Sequence, residues 1–306
     1  MTYHGVIEPG TIMEPFVFGP LLLEPTNSEI FMCSSREDNS KYIAKVVRKD
    51  YSGLEAETYA LCNFESSYII KLIEIRDVQL ANEGEFRIFF LEAGVEGDFL
   101  DLILKTEEPF TEEFLARFFY YLALGCQYIH NQGFIHRDIK PENILIFYNE
   151  YEKIIPKIID FAYCTKIPEE GFIFNDRIGT LNYASPELFL KEGYSYPTDV
   201  WSYGITLYTA VMRENPFNLQ LLNQEEITPD VFNTDEIIEK LQNNNVSESL
   251  INLISSLLSF DPSERPTFDN VIYHPWFSEF YPLSEREEEP KLITFPVLSQ
   301  QIEKNN

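Results

Sequence analysis

The chain has 306 residues, enough for one large domain or two lobes with their own cores, and its 44% apolar and 15% aromatic content excludes a disordered protein. With 50 acidic against 23 basic residues the net charge is −27, which argues against nucleic acid or an anionic membrane as partner and favours basic proteins or peptides. Four scattered cysteines without a CxxC pair (Cys33, Cys62, Cys126, Cys164), no leader-like start in "MTYHGVIEPG" and no apolar run of membrane-spanning length together predict reduced thiols in an intracellular protein, cytoplasmic or nuclear.

In chain order, residues 15–92 read as strand-rich with one helix. "KYIAKVV" (41–47) is β-branched and apolar and predicts a strand. "GLEAETYALCNF" (53–64) predicts a helix with Leu54, Glu57, Thr58 and Leu61 on one face, and "EFRIFFLE" (85–92) another strand. The glycines of "GVEGD" (94–98) mark a hinge. Beyond it the pattern turns helical. "TEEFLARFFYYLALGCQYIHNQG" (111–133) carries Phe114, Phe118, Leu122 and Ile129 near helical spacing, opens on a threonine cap and stops at Gly133. Two short strands, "NILIF" (143–147) and "KIIDF" (157–161), flank a polar loop. "PTDVWSYGITLYTAVM" (197–212) and "ESLINLISSLLSF" (248–260) predict buried helices. From about Ser284 the tail mixes "SEREEEP" with the apolar "KLITFPVL", and only partial order is expected there.

The strongest chemical signal is "HRDIKPENIL" (136–145), between a long helix and a short strand. It resembles the catalytic loop of the eukaryotic protein kinases, H-R-D-x-K-x-x-N, down to the intervening Pro141 and Glu142. The resemblance implies an α+β, bilobal fold: a β-rich N-lobe with one helix over 15–93, a larger, mainly helical C-lobe over 94–283 and a tail over 284–306. It further implies a serine/threonine protein kinase that moves the γ-phosphoryl group of ATP, with Mg²⁺, to a protein hydroxyl. Such a transfer needs positioning and charge neutralisation more than covalent help. Asp138 would orient or accept the hydroxyl proton, Lys140 would contact the transferring phosphate, and Asn143 would bind Mg²⁺. Asp160 stands at the metal-binding position of the family's Asp-Phe-Gly, with Phe161 packing to set its place. The stretch from Asn143 to Asp160 is long for the family, and "FYNEYEKIIP" (147–156) is read as the loop that absorbs it.

Strand alternation puts Lys45 on the apolar face with Ile43 and Val47, and Glu57 lies between Leu54 and Leu61 on the apolar face of the next helix. Pairing the two settles both charges, and they look like the family's lysine–glutamate pair, which implies that Lys45 holds the α- and β-phosphates. "LEAGVEGD" (91–98) resembles the hinge that receives adenine: Leu91 as gatekeeper, Glu92 and Gly94 through their backbone, Asp98 on the ribose. Leu23, Ile30, Ile43 and Leu145 complete the implied ATP-binding set.

In "GTLNYASPEL" (179–188), Ser185-Pro186-Glu187 stands for the family's Ala-Pro-Glu, with Arg265 as the implied partner of Glu187. Asp199 would brace the catalytic loop. "HPWF" (274–277) resembles the closing helix of calcium/calmodulin-dependent-type kinases, although the acidic tail shows no calmodulin-binding segment. Lys140 and Thr180 favour serine/threonine over tyrosine specificity. Arg137, Asp176 and Thr180 form the implied regulatory set: Asp176 stands where many such kinases carry an activating phosphothreonine, so partial activity without phosphorylation is expected. Glu142 and the acidic surface point to substrates basic around the target site. Cys164 is expected to be buried and inert.

Two segments depart from the pattern. Leu23, Pro25 and Ser28 replace the three glycines of the nucleotide loop, and Glu24 and Glu29 add negative charge there if they point inward, so weak ATP affinity is expected. Ala162 replaces the glycine of Asp-Phe-Gly, at a cost of about 1–2 kcal/mol if that position needs a positive φ. These departures motivate an alternative, a pseudokinase acting as scaffold or allosteric partner. The retained Lys45, Glu57, Asp138, Lys140, Asn143 and Asp160 favour catalysis, because they touch the reacting groups.

Overall fold

The computed structural model describes residues 6–286 apart from 25–26, 81–82, 95–96, 150, 152, 174–178, 191–192 and 218–228. Its first part is a six-stranded antiparallel sheet: β1 (Ile12–Met13), β2 (Phe16–Leu23), β3 (Ser28–Ser35), β4 (Lys41–Arg48), β5 (Leu72–Leu80) and β6 (Gly84–Glu92), in the order β1-β2-β3-β4-β6-β5. Period-two alternation gives the sheet two faces. Phe31, Ala44, Val46, Ile88 and Phe90 pack outward with Phe16, Phe18 and Ile7. The sheet therefore reaches further toward the N-terminus than residue 15, through β1 and the buried Ile7. Ile30, Ile43 and Lys45 face the other way, toward the second part of the molecule. Helix α1 (Leu54–Asn63) links β4 to β5 and buries Leu54, Glu57, Ala60 and Leu61, whereas Thr58, read onto that face, is half-buried.

The second part is built on α2 (Phe99–Lys105) and α3 (Glu112–Asn131). Thr111 caps α3 by accepting from Phe114 N–H at 3.2 Å, and Gly133 follows its end with φ 82°, so both expected punctuation marks lie where the sequence puts them. Short strands β7 (Phe134–Ile135), β8 (Ile144–Tyr148), β9 (Ile154–Ile158) and β10 (Thr165–Lys166) frame the loops at 136–143 and 159–164. Behind them lie α4 (Pro186–Phe189), the almost wholly buried α5 (Pro197–Met212), α6 (Asp235–Asn243), α7 (Glu248–Leu257), α8 (Phe268–Val271) and α9 (Pro275–Phe280).

The stretch expected as a loop over 147–156 is half strand. Ile144 to Tyr148 pair with Ile158 to Ile154 in register, so β8 runs on to Tyr148 and β9 begins at Ile154. Pro156 lacks an N–H, but among the described residues its position pairs only with Ile146 of β8, so its other edge needs no donor. The paired strand also ends at Ile158, so Asp160 is on a loop.

Cys33, Cys126 and Cys164 are buried and Cys62 is exposed, all four as free thiols. Burial pushes the Cys33 and Cys164 thiols up to about 12, which keeps them protonated. Among the described residues no helix is long and apolar enough to cross a membrane.

Candidate active site

Lys45 sits in the middle of the sheet, opposite Ile30 on β3 and Phe89 on β6. Its Nζ lies 2.5 Å from Glu57 Oε1 and 3.0 Å from Asp160 Oδ1. Burial works against the Lys45 charge, but Glu57 and Asp160 outweigh it and hold its pKa above the ordinary value. Burial likewise acts to raise Asp160, yet Lys45 prevails and keeps that carboxyl below the usual range. Glu57 is only 1% exposed, and burial pushes its pKa up; its Oε2 has no hydrogen-bond partner among the described residues. The pair expected from two uncomfortable charges is thus formed, with Asp160 as its third member.

Phe161 is fully buried and meets Phe64 and His136 edge-on, with ring centroids at 5.8 and 5.1 Å. The left-handed backbone in this turn falls on Asp160, with φ 62°, and not on Ala162. A short polar residue tolerates that conformation, so alanine is unstrained here. Gly53, just before α1, is the close-approach position: a Cβ there would lie 2.8 Å from both the Ala162 carbonyl oxygen and the Tyr51 ring. Its bare backbone lets the first turn of α1 rest on the Asp160 loop.

The 136–143 loop is held from below by Asp199. This carboxylate, 1% exposed, accepts the backbone N–H groups of His136 and Arg137, both at 2.8 Å, and lies 2.9 Å from His130 Nε2. Burial opposes its charge, but His130 and those donors hold its pKa below the ordinary value. Asp199 therefore secures Arg137 in a left-handed conformation, φ 68°. Asp138 follows. Asn143 Nδ2 donates to its carbonyl oxygen and to Oδ2, both at 2.8 Å, and Lys140 Nζ lies 2.8 Å from the same Oδ2. Thr180 donates to Oδ1 through its N–H at 2.9 Å and its hydroxyl at 2.8 Å, and accepts from Lys140 at 2.6 Å. Thr180, expected among regulatory residues, belongs by contact to this cluster.

Arg137 donates to Tyr163 O at 2.6 Å and to the Tyr194 hydroxyl at 2.9 Å. Asp176, its expected partner, lies outside the described residues. Glu187 and Arg265 form the expected buried bidentate pair at 2.8 and 2.9 Å.

Between the two parts lies a cavity of about 1140 Å³. Leu23, Ile30, Ile43, Lys45, Glu57, Leu91, Glu92, Gly94, Asp98, Lys140, Asn143, Leu145 and Asp160 all line it, so every residue expected to hold nucleotide or metal is on its wall. Asp98 also caps α2, accepting from Asp101 N–H at 2.8 Å, and the Glu92 carboxylate pairs with the buried Lys157. The alternation of β3 corrects one expectation: Ser28, Ile30 and Met32 line the cavity, whereas Glu29 points to the outer face and accepts from Val6 N–H. Its charge does not face the cavity.

Sequence reasoning missed Gly53 and Gly179. A Cβ on Gly179 would meet Arg137 O at 2.4 Å, and φ is 91°. Each is demanded by backbone from a remote segment, Ala162 O for Gly53 and Arg137 O for Gly179. Ser28, Met32, Leu61 and Asp101 on the cavity wall were also not read as lining, since only the packing of the two parts brings them there.

The wall fits a magnesium nucleotide. Apolar Ile30, Ile43, Leu91 and Leu145 match a base, and Lys45 and Lys140 match phosphates. Mg²⁺ characteristically takes one or two protein carboxylates and completes its shell with phosphate and water. Asp160, held ionised beside Lys45, and Asn143, whose amide nitrogen is committed to Asp138, match that modest donor set. The backbone ties the two together: Ile159 N–H donates to Asn143 O at 3.0 Å.

Residues 24–277 match the family model of the protein kinase domain. The chain is 29% identical over 248 residues to the ribosomal protein S6 kinase alpha-1 of Rattus norvegicus, covering 81% of this chain and 33% of that one. It is 27% identical over 270 residues to ribosomal protein S6 kinase alpha-6 of Mus musculus, covering 85% and 33%. To the human SNF-related serine/threonine-protein kinase it is 29% identical over 234 residues, covering 76% and 29%. The chain thus spans about a third of the length of these relatives.

Proposed function

The chain belongs to the protein kinase family, and from that premise we propose that it is an active serine/threonine protein kinase using Mg²⁺ and ATP. The observation that carries this reading is the joined cluster: Asp138, Lys140 and Asn143 are bonded to one another, while Lys140 and Asn143 share a cavity wall with Lys45 and Asp160. Lys45 holds the α- and β-phosphate oxygens, and Glu57 keeps its ammonium in place. Lys140 meets the γ-phosphate. Asp138 orients the incoming hydroxyl and takes its proton as the oxygen attacks phosphorus and the bond to the β–γ bridging oxygen breaks. Mg²⁺, held by Asn143 and Asp160, supplies neutralisation of the phosphate charge.

The finer assignments rest on this reading. The lobes divide near residues 93–98, where the chain passes from β6 to α2. Substrates are basic around the target site: Glu142, Asp98 and Asp101 line the cavity, and Glu142 Oε2 has no hydrogen-bond partner among the described residues. Arg137 and Asp176 set partial activity without phosphorylation. The closing helix at "HPWF" supports placement near the calcium/calmodulin-dependent-type group, without a calmodulin-binding segment. The chain acts inside the cell, cytoplasmic or nuclear, on protein rather than on nucleic acid or membrane. The test is phosphate incorporation from Mg²⁺-ATP into a basic protein substrate, beside Asp138→Asn. Activity in the wild type and background in the variant is expected; background in both would end the enzyme reading.

A further inference from the structure

The proposed kinase activity leaves one well-made contact without a role. Residues 6–11 run against the outer face of the sheet. Ile7, 3% exposed, packs with Phe16, Phe18 and Phe31. Gly10 N–H donates to Phe18 O at 2.7 Å, and Phe18 N–H donates to Thr11 O at 2.9 Å, so this strap is tied to β2. Its tie to β3 is Glu29, whose two carboxylate oxygens each lie 2.9 Å from Val6 N.

Glu29 is 8% exposed, and burial, with Glu24 and Glu83 adding like charge, makes it a costly place for a carboxylate without a donor. The Val6 N–H answers that cost. Glu29 also sits between Ser28 and Ile30, which line the cavity, and Ile30 pairs with Leu23 across the hairpin. Pairing along that hairpin is irregular, with register shifts between Phe18 and Leu21 and again between Leu21 and Leu23. Such a ribbon holds its shape poorly by ladder bonds alone. The hairpin also lacks glycine at 23, 25 and 28, so side-chain placement must carry more of the contact with nucleotide.

We propose that Glu29 is a positioning residue for nucleotide binding: through Val6 it fastens the β2–β3 hairpin to the N-terminal strap and sets how Ser28 and Ile30 cover the bound nucleotide. This rests on the kinase reading above. The strap acts from the face opposite the cavity, so the effect falls on nucleotide affinity rather than on the transfer step.

The test uses the full chain, with binding of a fluorescent ADP analogue in Mg²⁺ and steady-state transfer measured side by side. Glu29→Ala removes the acceptor, and Val6→Pro removes the donor while keeping Glu29. Both are expected to raise the analogue Kd and the KM for ATP by about fivefold or more, with kcat within about twofold of wild type. Glu29→Gln keeps an oxygen facing Val6 and should stay within about twofold in KM. If Glu29→Ala does not fold, Val6→Pro carries the same expectation. An unchanged KM in the folded variants, or a fall in kcat with KM unmoved, overturns the proposal. A wild type that neither binds the analogue nor transfers phosphate overturns the kinase reading itself, a distinguishable result.

Discussion

Thr180 grips Asp138 twice on a single oxygen: its N–H and its hydroxyl both donate to Oδ1, at 2.9 and 2.8 Å. With Oδ2 taken by Asn143 and Lys140, the carboxylate cannot turn. Thr180→Val removes one of the two bonds to Oδ1 while keeping the backbone one. We expect kcat to fall about tenfold, a loss of about 1.4 kcal/mol, with the KM for ATP little changed. Thr180→Ser should retain most activity in the same steady-state assay. Equal kcat in wild type and Thr180→Val would show that the hydroxyl does not orient Asp138.

Gly53→Ala places a methyl 2.8 Å from the Ala162 carbonyl oxygen. The first turn of α1 must then lift away from the Asp160 loop and carry Glu57 with it. Transfer activity should drop by about tenfold or more while far-UV circular dichroism stays that of the wild type. Full activity would mean that this approach is not needed for the working site.

The absence of glycine at 23, 25 and 28 should show in the KM for ATP, expected near or above the top of the common range of roughly 1 μM–1 mM. A low-micromolar value in a standard titration would refute this.

Ala162→Gly removes no contact that the Asp160 turn depends on, because the positive φ is at Asp160. The expected change is a small loss of stability, about 0.4–1 kcal/mol from greater freedom of the unfolded chain, with kcat within about threefold. A kcat change of an order of magnitude would instead place the alanine in the chemistry.

Asp199 has a pKa held below its ordinary value of 3.8. A depressed carboxyl stabilises the fold above its unfolded pKa, and that contribution is lost as pH falls through the folded value. Melting temperature should therefore drop as pH is lowered from about 5 to 3, and drop less steeply in Asp199→Asn. The variant should also melt lower at neutral pH, since its amide cannot accept every bond that the carboxylate does. Parallel pH profiles for the two proteins would refute the assignment.

Much of this site was legible in the sequence because its chemistry is concentrated in short runs. Asp138, Lys140 and Asn143 share one eight-residue stretch, and their bonds follow from it. Lys45 and Glu57 could be paired on paper because each was misplaced without the other. What stayed hidden depends on distant backbone. Gly53 and Gly179 look like ordinary loop glycines until Ala162 and Arg137 are packed against them. Thr180 could not be joined to Asp138 because 42 positions separate them and nothing local links the two. The loop expected over 147–156 proved half strand because the extra length is spent on extending the β8–β9 pairing, which no local signal announces. The orientation of Glu29 was open until strand register assigned Ser28 and Ile30 to the cavity side.

The unequal burial of the four thiols has a practical consequence. Cys33, Cys126 and Cys164 are enclosed and their pKa values are raised by burial, so native alkylation should pass them by. Cys62 alone is exposed, and it rides on the same helix as Glu57. A thiol-reactive fluorophore would therefore label the unmutated chain at one point. That point reports on α1, the element whose position decides whether Lys45 and Glu57 meet.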